Sequence, residues 1–404
     1  MFMTPGSVLG NWFRGLLSIG ILVGAGLLLH RWYDSLPSSV VETRTTDGNV
    51  TEIHRPLSAI ERISIWRPDW DRLTAMLGGA LVLLIWSFSG RFLNVRLLRK
   101  ADPRGQPRLH PATAVSLQRP DGTILHLETQ GAVTAQTVIL THGWGMHRGA
   151  WAYLARDWQN QFRLVLWDLP GLGKSSRPKN RDYSLEKMAH DLKAVVDASG
   201  AQPVILMGHS IGGMIILTFC RLYPELLGSR VSKLVLVHTS FKNPVETIAL
   251  HTLLSALQKP LIEPLLVLQI VLSPVLWLMN WLSYLNGSAH QSTTRTGFAG
   301  QESREQLDFV TSFFPRASPA VLARGSFGML RYDATETLKQ ITIPVLVFTG
   351  DLDPVTLPQA GQKIAETVPQ GQIQMLAPAK HFGMIEHNAK FAKAAAVFCN
   401  SSSM

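Results

Sequence analysis

Two stretches of this chain, residues 15–29 and 73–90, carry no charged side chain, and nothing else in the sequence restricts its folding so tightly. A backbone in lipid must satisfy every N–H and C=O from within, so such runs are helices wherever a bilayer surrounds them. The second has 18 residues, close to the roughly 20 needed to span. The first gains length from its edges, where Trp12, Phe13, Trp32 and Tyr33 stand as interfacial aromatics would. We therefore expect spans at about 12–32 and 73–90, a transmembrane hairpin within an anchor of residues 1–100. No small-x-small pattern follows Leu29, which disfavours a cleaved signal peptide. Composition agrees, with 16% charged residues against roughly 25% in an average soluble domain.

The net charge of +10 raises nucleic acid as a partner, so its location matters. Residues 91–108 hold six Lys or Arg (Arg91, Arg96, Arg99, Lys100, Arg104, Arg108) against Asp102 alone, which is half of the excess. This cluster directly follows the second apolar run, a membrane-flanking position rather than a nucleic-acid face. The connecting segment 30–72 balances six Arg against seven acids. The positive-inside rule then places the cluster and everything after it in the cytoplasm, as a two-pass protein. Cys220 and Cys399 match no metal or redox spacing and read as buried thiols in a reducing compartment.

From residue 114 the texture changes to short apolar strands alternating with helical stretches, which predicts an α/β domain over 101–404 with a mostly parallel sheet. Residues 114–117 and 123–127 flank Pro120-Asp121-Gly122, a hairpin signal. Strands follow at 137–141, 164–167, 204–207, 234–237, 345–349 and 373–376, eight in all. The gap between the sixth and seventh is far too long for one crossover helix, so an insertion lies at about 241–330. Its apolar part, 261–285, is long enough for a third span. Pro264 and Pro274, and its place between strands of one sheet, favour instead an amphipathic or wholly apolar helical cap. Such a cap is suited to lining a lipophilic pocket and touching the membrane.

The apolar strand 204–207 runs into Gly208-His209-Ser210-Ile211-Gly212-Gly213, which opens a helix reaching about Tyr223. This is a G-x-S-x-G elbow in strand-turn-helix context, the arrangement that projects a serine hydroxyl clear of a sheet. A serine needs a base to take its proton. Of the 13 histidines, His381 is favoured, because it sits in the loop after the last strand and ahead of the final helix. His209 neighbours the serine, but successive residues on a tight turn point apart. His142 precedes a glycine turn and reads as a loop brace. A carboxylate to orient the imidazole follows the strand 345–349 in Gly350-Asp351-Leu352-Asp353-Pro354. Both aspartates qualify, and Asp353 is preferred over Asp351. For an oxyanion hole, the backbone N–H of Ile211 and that of Trp144, in His142-Gly143-Trp144-Gly145, are the candidates.

The run Asp168-Leu169-Pro170-Gly171-Leu172-Gly173-Lys174-Ser175 lacks phosphate-loop spacing and reads as a structural turn. No cofactor and no metal is expected. Asn49-Val50-Thr51 and Asn286-Gly287-Ser288 match the short glycosylation pattern.

These residues together resemble the α/β-hydrolase superfamily over about 114–399. Five separated features stand in the family's order: His142-Gly143-Trp144-Gly145, the Asp168 turn, the Ser210 elbow, Gly350-Asp351-Leu352-Asp353, and His381 with Glu386 five residues on. The resemblance implies an α/β-hydrolase fold: eight mostly parallel strands flanked by helices, with a cap after the sixth. Members with aspartate at the elbow open epoxides or remove halides, so the serine here implies esterase, lipase, thioesterase or amidase chemistry. Our expectation is a membrane-anchored serine esterase acting on a lipophilic acyl ester or lipid, with Ser210, Asp353 and His381 as its triad. An acyltransferase or thioesterase on the same triad, or a non-catalytic membrane-anchored binding module, are the rivals.

Overall fold

Along most of the central strands of this chain, apolar residues occupy both alternating positions, so neither sheet face can be left to water. The computed structural model describes residues 5–46, 49–66, 72–107, 113–247 and 251–401. A hairpin of β1 (Ser39–Thr46) and β2 (Asn49–Pro56) stands apart from the main sheet. That sheet contains β3 (Thr113–Gln118), β4 (Ile124–Gln130), β5 (Thr137–Thr141), β6 (Arg163–Trp167), β7 (Val204–His209), β8 (Val231–Val237), β9 (Val345–Gly350) and β10 (Gly371–Leu376). Their order is β3-β4-β6-β5-β7-β8-β9-β10. The pairs β3–β4 and β4–β6 are antiparallel and the rest parallel.

Because side chains alternate across a strand, each strand feeds two cores. Ile139, Leu206, Leu234 and Val347 join the core on one face. Val138, Leu140, Met207, Val235 and Phe348 join the other. The chain leaves β5 for β6 on one side and returns to β7 on the other. A crevice opens at the carboxyl ends of strands where the order reverses in this way, and the loops after β5 and β7 meet there.

The first apolar run lies in a helix, Pro5–Asp34, and the second in Arg72–Leu98. Both helices extend beyond the expected 12–32 and 73–90. They pack on each other with Ala25 and Ala80 fully buried, small residues that let two helices approach closely in lipid. Leu16, Leu17, Val82, Ile85 and Phe88 remain exposed around them. Where two spans were expected, three helical segments among the described residues are long and apolar enough to cross a membrane: Leu9–Asp34, Arg72–Leu98 and His251–Val271. The third differs from the expected stretch 261–285, which is interrupted at Leu272, with Pro274 in the first turn of the next helix, Ser273–Leu285. A π turn, Gln258–Ile262, precedes the helix Glu263–Val271, and Pro264 falls in that helix's first turn, where no N–H is needed.

That third segment belongs to a long helical insertion between β8 and β9. Its helix Ser273–Leu285 packs against both N-terminal helices through buried polar contacts. Asn94 Nδ2 donates to the Asn286 carbonyl at 3.1 Å, and Asn286 Nδ2 donates to Ser18 Oγ at 2.7 Å. Gly90 passes so close that an added Cβ would lie 2.7 Å from the Asn286 oxygen. Asn286, one of the two glycosylation matches, is therefore buried in this contact. The basic cluster is partly structural too: Arg99 pairs at 2.8 Å with the buried carboxylate of Glu302, and Arg104 pairs with Asp102. Arg108 lies outside the described residues.

Candidate active site

The elbow is a steric problem before it is a chemical one. Ser210 sits at φ 53° and ψ −120°, a conformation that costs an L-residue of order 1–3 kcal/mol and persists only where its surroundings enforce it. β7 and the helix Ile211–Leu222 enforce it here, and neither Gly208 nor Gly212 has room for a side chain. A Cβ on Gly212 would lie 2.4 Å from the Thr141 oxygen, and one on Gly208 2.4 Å from the backbone of Gly212. The Ser210 N–H donates to the Val237 carbonyl at 2.9 Å, and Thr239 Oγ1 donates to the Ser210 carbonyl at 2.6 Å. Ile211 is the first residue of the helix, so its N–H has no partner within that helix.

His381 and Asp353 come together as the sequence suggested. His381 Nδ1 stands 2.9 Å from Asp353 Oδ2, with both side chains buried. Asp351 instead accepts the Ala379 N–H at 2.8 Å, which ties the loop after β9 to the loop that carries His381. Asp353 is itself tightly held. Val355 N–H and Thr356 N–H reach its Oδ1 at 2.8 and 3.1 Å, and Thr356 Oγ1 donates to Oδ2 at 2.8 Å. Burial pushes this carboxyl up, but the charge of His381 and hydrogen bonds from His238 and His381 outweigh it and hold it well below the usual carboxylate range.

Two further histidines adjoin this pair. His209 does not point away into solvent: it is buried, its ring lies 4.9 Å from that of His381, and its Nε2–H donates to the His381 carbonyl at 3.1 Å. His238, which follows β8, places Nδ1 3.2 Å from the same Asp353 Oδ2. No motif pointed to His238; its only signal is a histidine directly after an apolar strand. Burial pushes both imidazoles below their ordinary value, and at His209 the adjoining His381 and His238 add to this.

Trp144 is buried, and its indole donates to the Leu322 carbonyl at 3.0 Å, so the helix Pro319–Met329 of the insertion clamps it over the elbow side of the sheet. His142 braces this loop by accepting the Leu169 N–H at 3.0 Å. Asp168 anchors the glycine-rich turn, accepting the Arg148 and Lys174 N–H groups at 2.7 and 2.8 Å and pairing with the Arg148 guanidinium at 2.8 Å. Glu386 accepts the backbone N–H of Ala299 and Gln301, joining the insertion to the segment after His381. Among the described residues no His, Cys, Asp and Glu group has the geometry to hold a metal ion.

A family model described as the alpha/beta hydrolase fold matches residues 136–260. Lipase 1 of Psychrobacter immobilis is 23% identical over 289 residues, which cover 67% of this chain and 79% of that protein. Epoxide hydrolase 4 of Homo sapiens is 30% identical over 123 residues, spanning 30% of this chain and only about a third (33%) of the relative. Among solved structures, a thermophilic esterase from Thermogutta terrifontis superposes with a TM-score of 0.56 at 22% identity, covering 71% of this chain and 98% of the esterase.

Proposed function

The chain belongs to the α/β-hydrolase superfamily, and from that premise we propose that it is a membrane-anchored serine hydrolase that cleaves lipophilic carboxylic esters through an acyl-enzyme on Ser210. The observation that carries this reading is the strained Ser210, enforced between β7 and its helix, in a fold that sets a His381–Asp353 pair beside the neighbouring His209. In this reading His381 takes the Ser210 proton as Oγ attacks the acyl carbon. Asp353 holds the imidazole and stabilises its charged form. The N–H groups of Ile211 and Trp144 receive the developing oxyanion. His381 then returns the proton to the leaving alcohol, and water clears the acyl group by the same steps. Relatives named as lipase and esterase support ester chemistry.

The lipophilic and membrane parts rest on the helices. Val267, Val271, Val275, Trp277 and Leu278 of the insertion are exposed, and no Asp, Glu, Lys or Arg occurs between Glu263 and Arg295. The helix that carries the last three packs on the N-terminal pair, so its apolar face continues theirs. In our reading the chain crosses twice, with the catalytic part on the cytoplasmic side and the cap resting in the adjoining leaflet.

Hydrolysis of esters graded from butyryl to palmitoyl tests this in the full-length, detergent-solubilised protein. Long-chain turnover should fall by at least about a thousandfold in Ser210→Ala. Retained activity in that variant, or cleavage of butyryl esters alone by the wild type, would sink it.

A further inference from the structure

Five donors converge on one carboxylate at this site, and of the two imidazoles among them only His381 has a part in the chemistry outlined above. Asp353 Oδ2 accepts from His381 Nδ1 at 2.9 Å, from Thr356 Oγ1 at 2.8 Å and from His238 Nδ1 at 3.2 Å. An ionised carboxylate only accepts, so both imidazoles present Nδ1–H to it. His238 is costly where it stands. Its backbone lies at φ 46°, in the left-handed region that non-glycine residues avoid. Its side chain is fully buried, and its Nε2 has no hydrogen-bond partner among the described residues. An apolar residue filling this space would leave no buried polar atom unsatisfied. The imidazole has one contact that an apolar residue lacks, the bond to Asp353.

We propose that His238 is a positioning residue for the His381–Asp353 pair: by donating to Asp353 Oδ2 it fixes the carboxylate against His381 and draws off part of its negative charge, and so sets the pH range in which His381 works as a base. The inference rests on the triad reading given above. The sign follows from electrostatics. A carboxylate that already satisfies an extra donor stabilises a neighbouring imidazolium less, so His381 gives up its proton at lower pH than it would without His238. The groups around His238 are Asp353 on the loop after β9, His381 on the loop after β10, His209 at the end of β7, and His387 at the start of the last helix. Asp353 is the one anion in this set. Burial holds His238 below the ordinary histidine value, so it serves as a neutral donor and does not compete for the proton.

The rate at which a fluorophosphonate labels the full-length protein, followed across about pH 5 to 9, tests this without knowledge of the substrate. His238→Ala should slow labelling roughly tenfold at neutral pH and move the acid limb of the profile up by about one unit. His238→Asn carries an amide N–H near the position of Nδ1 and tolerates left-handed backbone, so it should return the limb to its original place. Thr356→Val removes a different donor from the same oxygen and should move the limb in the same direction, which keeps the test decisive if the alanine variant does not fold. A folded His238→Ala or Thr356→Val with the wild-type limb, or an asparagine variant that leaves the limb displaced, overturns the inference. His381→Ala serves as the separate arm. Labelling at the wild-type rate there would remove the triad reading itself, and this inference with it.

Discussion

Glu128 and Asp353 show how one physical contest serves two ends in this molecule. Burial pushes both carboxyls up, and in both the local cations and donors prevail. At Glu128 the Arg148 guanidinium and His126 bring the value down to about 2. A group whose value is lowered on folding stabilises the fold above its unfolded value, here near 4.5, and loses that contribution as the pH falls through about 2. Glu128→Gln should therefore cost roughly 1–3 kcal/mol at neutral pH, with the gap closing towards pH 2 in paired denaturation curves. A gap that stayed constant across that range would show the loss to be one of packing. At Asp353 the same balance keeps a charge beside His381. The sequence made Ser210, Asp353 and His381 legible because each follows a strand in a loop whose chemistry is local. His238 was not, since its relation to Asp353 exists only once β8 and β9 lie side by side, and Thr356, three residues after Asp353, belongs to no motif that marks it as a donor. For His209 the local geometry of a turn said nothing of its surroundings, because the loop carrying His381 folds over it from a distant part of the chain.

At the scale of elements, alternation and length were reliable guides, and long-range pairing was not. All eight strands of the main sheet lie where the sequence put them: β5 to β9, buried on both faces, leave continuous apolar runs, while β3 and β4 were marked by the turn signal between them. The hairpin β1–β2 left no such mark, since nearly all of its residues are exposed. Asp47-Gly48 between two runs rich in β-branched residues is the signal that could have found it; those two residues lie outside the described ones. Arg62 ties this region to the first helix by donating to the carbonyls of Tyr33 and Leu36, each at 2.9 Å. The insertion read correctly as helical and apolar, and its prolines stand in the first turns of Glu263–Val271 and Ser273–Leu285, the second at the interruption of 261–285. Its docking on the N-terminal helices, through Ser18, Asn94 and Asn286, brings together residues up to 268 positions apart and has no local signature.

For the whole molecule, that docking makes the hairpin part of the cap's support rather than a tether alone. The ends of both helices that touch the insertion are those nearest Gly15 and Gly90, so in the proposed two-pass arrangement the catalytic part adjoins one membrane face and β1–β2 lies beyond the other ends. Reporter fusions placed after Lys100 should register in the cytoplasm, and extracytoplasmic signal there would reverse the orientation. The central claim concerns Ser210, and its most direct test is to react the full-length protein in membranes with a serine-directed fluorophosphonate and map the adduct by peptide mass. One adduct, on the peptide containing Ser210 and absent from Ser210→Ala, is the predicted result. No adduct on folded wild-type protein, or an adduct that persists in the alanine variant, would contradict it.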